Sequence, residues 1–195
     1  MPPKVKVTKE DIVNTAVDIV RHNGVDSLNA RTVASVLNCS TQPIFSNFAT
    51  MDELRFAVVD KAYELSAEYI EREIENGDYP AYKASGMAYI RFAKEEKELF
   101  KLLYMRDRTG EVIPESDPIN NQMEDYVKSN TGLGETDAKL FHLEMWAYVH
   151  GIASMLATGY LNLDWELISK IITDAYNAHR KLSEWSDNYG CYQNR

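Results

Sequence analysis

The chain has 195 residues, 45% of them apolar and 26% charged, with a formal net charge of −9 and a pI near 5.0. This composition excludes a disordered, collagen-like or low-complexity chain, and the acidity excludes a broadly basic nucleic-acid binder, so any such binding has to come from a small local surface. The two cysteines, Cys39 and Cys191, cannot make a disulfide framework, and no Cys/His cluster has zinc-ligand spacing.

Taken in chain order, the sequence reads as helices. MPPKVKVTKED is charged but has no following apolar run, so it is not a secretory signal. The spacing of Ile12, Val13, Ala16, Ile19 and Val20 predicts a first helix from about Lys9 to His22. Thr8 and Asp11 cap its start in a shortened capping box, and Asn23-Gly24 ends it. Asn29 can cap a second, short helix carrying Ala30, Val33, Ala34 and Leu37 on one face. Asn38 then sits at a turn that favours a left-handed residue. Ser40 is expected to cap a third helix, Thr41 to Asn47, with Pro43 at its third position, where the helix does not use the backbone donor. Thr50 and Glu53 spell a capping box for a fourth helix, Met51 to about Asn76, with Leu54, Ala57, Val58, Ala62, Leu65 and Tyr69 inward. Further helices are predicted at about 80–94, 96–106, 117–130, 135–159 and 164–186, with breaks at 108–118 and 131–134 and a flexible tail at the end. The stretch from Met145 to Leu163 has 19 residues without formal charge, 13 of them apolar. It is interrupted by His150, Gly151, Ser154, Thr158, Gly159 and Asn162, so it reads as a buried helix of a cytoplasmic protein and not as a membrane span.

Two short helices joined by a three-residue turn and braced by a longer helix in front match the helix-turn-helix plan, with Thr41–Asn47 as the recognition helix. The segment from Ile12 to Leu54 resembles the DNA-binding domain of TetR/AcrR-type transcriptional regulators. Gly24, the Val33-Ala34 pair, and Ser40, Ile44, Phe45 and Phe48 match that family's pattern, as does MDEL at 51–54. Trp146, His150 and Gly151 are similar to the Trp-x-x-x-His-Gly signature of one regulatory-domain subgroup. Three positions depart from the usual pattern: Phe45 replaces a phosphate-contacting Tyr, Met51 a Lys, and Asn38 a Gly. The resemblance implies an all-α regulator with an N-terminal DNA-binding domain (1–55), a ligand-binding and dimerisation domain (56–188) and a tail (189–195).

Charge is distributed accordingly. Residues 1–60 hold six Lys/Arg and seven Asp/Glu, a net of −1, against 15 and 23, a net of −8, in 61–195. Lys4, Lys6 and Lys9 form a basic arm that, with Arg31 and the helix N-termini, can neutralise phosphates. Thr41, Gln42 and Ser46 fall on the face of the recognition helix opposite Ile44 and Phe48, where Gln can pair with adenine. Asn29, Ser40, Phe45 and Asn47 complete the candidate DNA-contacting set.

An enzyme is the rival class, and its signatures are missing. No His has Glu three residues before it, as a di-metal carboxylate bundle requires, and there is no GxxxxGK[ST], HExxH or GxSxG. No cofactor or metal is expected. A helical scaffold with a vestigial helix-turn-helix is the other alternative, against which Thr41-Gln42 keeps polar groups at the groove-facing end. Cys39 reads as a small hydrophobe in the turn before it reads as a redox sensor. His150 alone reads as a hydrogen-bonded core histidine, and Met87, Phe92, Phe100, Tyr104, Met105, Met123, Phe141 and Trp146 as core. If the resemblance holds, Trp146 and His150, one turn apart, are the expected floor of an effector pocket, with Phe100, Tyr104 and Met123 as walls. Ala147, Gly151, Ser154 and Thr158 make a small-residue stripe, and Ile168, Ile171, Ile172 and Ala175 supply a second apolar face; both are expected to form a homodimer interface. The expected protein is a homodimeric repressor that binds a palindromic DNA operator and is released by a small, largely apolar effector.

Overall fold

The computed structural model describes residues 7–107, 109 and 118–189, and among them carries nine α-helices with no strand. They are α1 (Lys9–Asn23), α2 (Ala30–Val36), α3 (Gln42–Asn47), α4 (Met51–Asn76), α5 (Ala81–Glu95), α6 (Lys97–Tyr104), α7 (Pro118–Thr131), α8 (Glu135–Ala157) and α9 (Trp165–Tyr189). A 3₁₀ turn, Val25–Ser27, follows α1. Lys4, Lys6, Cys191, most of the 108–118 break and tail residues 190–195 lie outside the described residues.

The helix ends follow local side-chain chemistry. Thr8 Oγ1 accepts from the Asp11 amide at 3.1 Å, and Asp11 accepts from the Thr8 amide at 2.9 Å, closing both halves of the box. These bonds from Thr8 hold the Asp11 carboxyl below its ordinary range. Gly24 closes α1 at φ +78°, where a Cβ would also stand 3.2 Å from Glu98. At α4 the expected box is only half formed: Thr50 accepts from the Glu53 amide at 3.1 Å, but Glu53 reaches back to the Ala49 amide, at 2.7 Å, and not to Thr50.

The chain divides into two compact units, each assembled from two segments. The first comprises Met1–Tyr69 and Phe92–Asp107, the second Ile70–Arg91 and Arg108–Arg195. In the first, α1 buries Ile12, Ala16, Val17, Ile19 and Val20, while Val13 is half-buried. Leu28, Val33, Ile44, Phe48, Leu54 and Val58 continue that core, and Leu99, Phe100 and Leu103 of α6 complete it. Arg21 donates to Glu96 at 2.7 Å, pinning α1 to the turn before α6. The second unit packs α5 against α8 and α9. Its core holds Met87, Ile90, Met123, Val127, Phe141, Met145, Val149, Ile168 and Ile172. Gly86 of α5 faces Val149 of α8, where a Cβ would make ordinary contact at 3.5 Å.

Candidate functional site

The connection between α2 and α3 is the first point at which the sequence-predicted geometry changes. α2 ends at Val36 and α3 starts at Gln42, so the link is five residues, Leu37 to Thr41, and not three. Asn38 takes the left-handed conformation at φ 49°, as its position predicted. Its N–H donates to the Ser35 carbonyl and the Cys39 N–H to the Ala34 carbonyl, at 3.3 and 3.0 Å. This is the Schellman closure, which satisfies two carbonyls at the end of α2 and redirects the chain. Cys39 sits half-buried inside it. The residue flanking α3 is Thr41, with no side-chain cap bond, and Pro43 falls at the second helical position, so Ser40 lies outside the cap it was expected to make.

α3 is fixed from behind by Ile44 and Phe48, which are 0% and 2% exposed. Gln42, Phe45 and Ser46 face outward. Ser46 Oγ donates to the Gln42 carbonyl at 2.9 Å, and Asn47 Nδ2 to the Pro43 carbonyl at 2.8 Å. The Gln42 amide makes no hydrogen bond among the described residues. Asn29 caps α2 with bonds from the Arg31 and Thr32 amides at 3.1 and 3.0 Å, so its role is visibly structural. Arg31 beside it is exposed and makes no ion pair among the described residues. Lys9 Nζ stands 5.0 Å from the Phe48 ring centroid, which brings a cation to the C-terminal end of α3.

The residues expected to bind an effector divide between the units. Phe100, fully buried, and Tyr104 belong to the first, where Tyr104 packs on Phe100 and faces Ser66 Oγ at 3.4 Å. Met123, Trp146 and His150 belong to the second; Met123 is 3% exposed, but Trp146 is 41% exposed and stacks on His150 at 5.1 Å and 20°. Tyr89, buried on α5, holds His150 Nδ1 at 2.9 Å, and Ser154 lies 3.3 Å from Nε2. A second rung repeats this one at the other end of α5: Tyr82 meets His142 Nδ1 at 3.1 Å. Burial raises the Tyr82 hydroxyl and lowers both histidines, so these rungs join neutral imidazoles to tyrosine hydroxyls.

Of the expected interface residues on α8 and α9, Ala147 and Thr158 are exposed and Gly151, Ser154, Ile171 and Ala175 half-buried. Ile168 and Ile172 are 0% and 3% exposed and point into the unit's own core. The exposed large apolar residues of α8 and α9, among the described residues, are instead Leu140, Leu143, Trp146, Tyr148, Leu167 and Leu182. Two polar centres escaped sequence reading. Glu73, only 5% exposed, pairs with Arg91 at 3.2 Å, and the Arg91 guanidinium lies 4.4 Å over the Trp165 ring. Lys83 Nζ donates to Ser169 and Thr173 at 2.7 and 2.9 Å, over the Tyr79 ring, and burial lowers its pKa. No amphipathic period marks such partners, because they stand on different helices. Among the described residues no His, Cys, Asp and Glu gather as a metal site, and no helix is long and apolar enough to cross a membrane.

Residues 82–173 match the model of the tetracyclin repressor-like C-terminal domain. In fold, the chain is similar to a TetR-like transcriptional regulator from Rhodococcus sp. RHA1, with 16% identity, 97% of this chain and 99% of that one covered, and a TM-score of 0.61. A protein of unknown function from the same organism aligns at 20% identity over 93% and 98% of the two chains, with a TM-score of 0.70. The multidrug binding protein EbrR, solved with imidazole, aligns at 18% identity over 86% and 88% of the two chains, with a TM-score of 0.55. No curated protein sequence matches the chain.

Proposed function

We propose that this chain is a TetR-type transcriptional regulator, a reading supported by its C-terminal domain match and its fold, and that it is a non-enzymatic cytoplasmic repressor that binds a palindromic operator as a homodimer. One α3 from each protomer enters the major groove. Lys9 and Arg31, with Lys4 and Lys6 of the arm, neutralise phosphates, and Thr41 and Gln42 meet base edges. The observation that carries this reading is the outward face of α3: an unengaged Gln42 amide on a helix whose opposite face is locked by Ile44 and Phe48.

The dimer forms through α8 and α9, whose exposed Leu140, Leu143, Leu167 and Leu182 surround the small-residue stripe at Ala147 and Gly151. Ile168 and Ile172 back this surface from inside the unit. A largely apolar effector binds at the Trp146–His150 stack and releases the operator. It does so only by favouring one arrangement of the two DNA-binding heads over the other, with a coupling of about 1–3 kcal/mol. α4, whose residues fall in both units, carries the signal.

The test begins with selection of preferred sequences by the full-length protein. A palindrome with half-sites about one helical turn apart is expected, and Gln42→Ala relaxes one base position per half-site, by about 1–3 kcal/mol of discrimination. Absence of any preferred sequence would sink the reading. A Cβ on Gly151 meets nothing within 4 Å in its own chain. Gly151→Leu, with its folding checked by thermal melting, is expected to halve the mass in solution and abolish binding to the palindrome.

A further inference from the structure

We infer that Phe45 reads the 5-methyl group of a thymine in each operator half-site, an inference that rests on the DNA-binding reading above. Phe45 is 49% exposed although the helix that carries it is fixed by two buried neighbours. Its exposure therefore follows from how α3 is seated. Helical spacing of about 100° per residue puts Gln42 at the centre of the outward arc, with Phe45 on one flank and Ser46 on the other. The Ser46 hydroxyl proton is committed to the Gln42 carbonyl, and Asn47 donates back to Pro43. Beside the Thr41 hydroxyl at the start of α3, this face offers sequence readout one amide and one apolar ring, the ring being its one apolar group.

Phe45 lacks the hydroxyl with which a tyrosine would bond to a phosphate. A bare ring gains free energy only against an apolar group, and the thymine methyl is the apolar feature that base edges present in the major groove. Gln42 and Phe45 are three residues apart, about 4.5 Å along the helix axis. A base step is about 3.4 Å. The thymine accordingly lies one or two base steps from the pair that Gln42 reads.

Deoxyuridine keeps every hydrogen-bonding group of thymine and removes only the methyl, which makes the experiment direct. Each thymine of the selected operator is replaced in turn, symmetrically in both half-sites, and binding is followed by fluorescence anisotropy. At one position uracil is expected to weaken the wild type roughly fifteenfold, two buried methyl groups at about fourfold each. Phe45→Ala, with its folding checked by thermal melting, binds the thymine and uracil operators alike. Phe45→Leu keeps part of the discrimination. Uracil tolerated at every position by the wild type, or a uracil penalty that persists undiminished in both variants, overturns the inference while leaving sequence-specific binding standing. If selection yields no preferred sequence, the DNA-binding reading falls and the inference falls with it.

Discussion

The two units of this chain are held together by interactions of different range. In the first, helix ends are closed by residues three to five positions away: Thr8 with Asp11, Asn29 with Thr32, and Asn38 and Cys39 with Ser35 and Ala34. Its surface ion pairs are equally local, at i,i+3 for Arg21–Asp18, Arg55–Asp52 and Lys61–Glu64. In the second, the polar contacts that matter join distant segments. Tyr82 meets His142 and Tyr89 meets His150 across about sixty residues, and Lys83 reaches Thr173 across 90. Local closure gives a head whose shape is written residue by residue and which can expose one face to a partner. Long-range closure gives a body that orders its polar groups only when the helices come together.

This contrast breaks first, and furthest, at Glu73 and Arg91. Removing one partner of a buried pair strands the other charge and costs about 2–4 kcal/mol when, as here, the arginine is partly solvated. Arg91→Met should lower the urea midpoint accordingly, whereas Glu73→Gln should do less harm. All three tryptophans, Trp146, Trp165 and Trp185, belong to the second unit, so their fluorescence reports on it alone. A midpoint for Arg91→Met equal to that of the wild type would show the pair to be ornamental. In the head, Asn38→Val forces a β-branched residue into the left-handed region and should cost about 1–2 kcal/mol, while Asn38→Gly should be neutral or mildly stabilising. Amide exchange in α2 and α3 distinguishes these outcomes. Asn29→Ala removes two capping bonds and should cost about 1 kcal/mol by thermal melting; no loss would mean that the Thr32 side chain closes α2 unaided.

The smallest effect is one of pH. His142 and His150 are held below the ordinary histidine value of 6.5 by burial, with Glu124 opposing this at His142. The unfolded chain then binds the extra protons, and stability is complete above about pH 6.5 and declines as pH falls below it. His150→Gln should flatten part of that decline in tryptophan-monitored unfolding between pH 7 and 5. An unchanged slope would mean that Tyr89 and Trp146 do not keep the imidazole neutral.

The same difference in range decides what could be read in advance. Thr8, Gly24, Asn29 and Asn38 announced their structures because a cap or a left-handed turn depends on residues within one turn of chain. The nine helices followed from apolar spacing, to within a few residues at their ends. The start of α3 was missed by one position: the Schellman closure after α2 takes up an extra residue, and Thr41 flanks the helix without the side-chain cap that Ser40 was expected to supply. Ile168 and Ile172 fitted the period of an interface stripe equally well as that of a core stripe, and only packing separates the two. Glu73 beside Arg91 was invisible, because nothing in either helix marks the other.

The Arg21–Glu96 bond bears on how such a protein can be inherited. α1 is covered by α6, and Leu99, Phe100 and Leu103 arrive from a part of the chain about fifty residues beyond the recognition segment. A piece ending at residue 55 would carry every residue that faces the groove and still leave Ile19 and Val20 without their cover. The head is therefore not a transferable cassette: recombination that joined it to another body would have to bring a matching α6 along, or restore from elsewhere the apolar surface and the carboxylate that Arg21 loses.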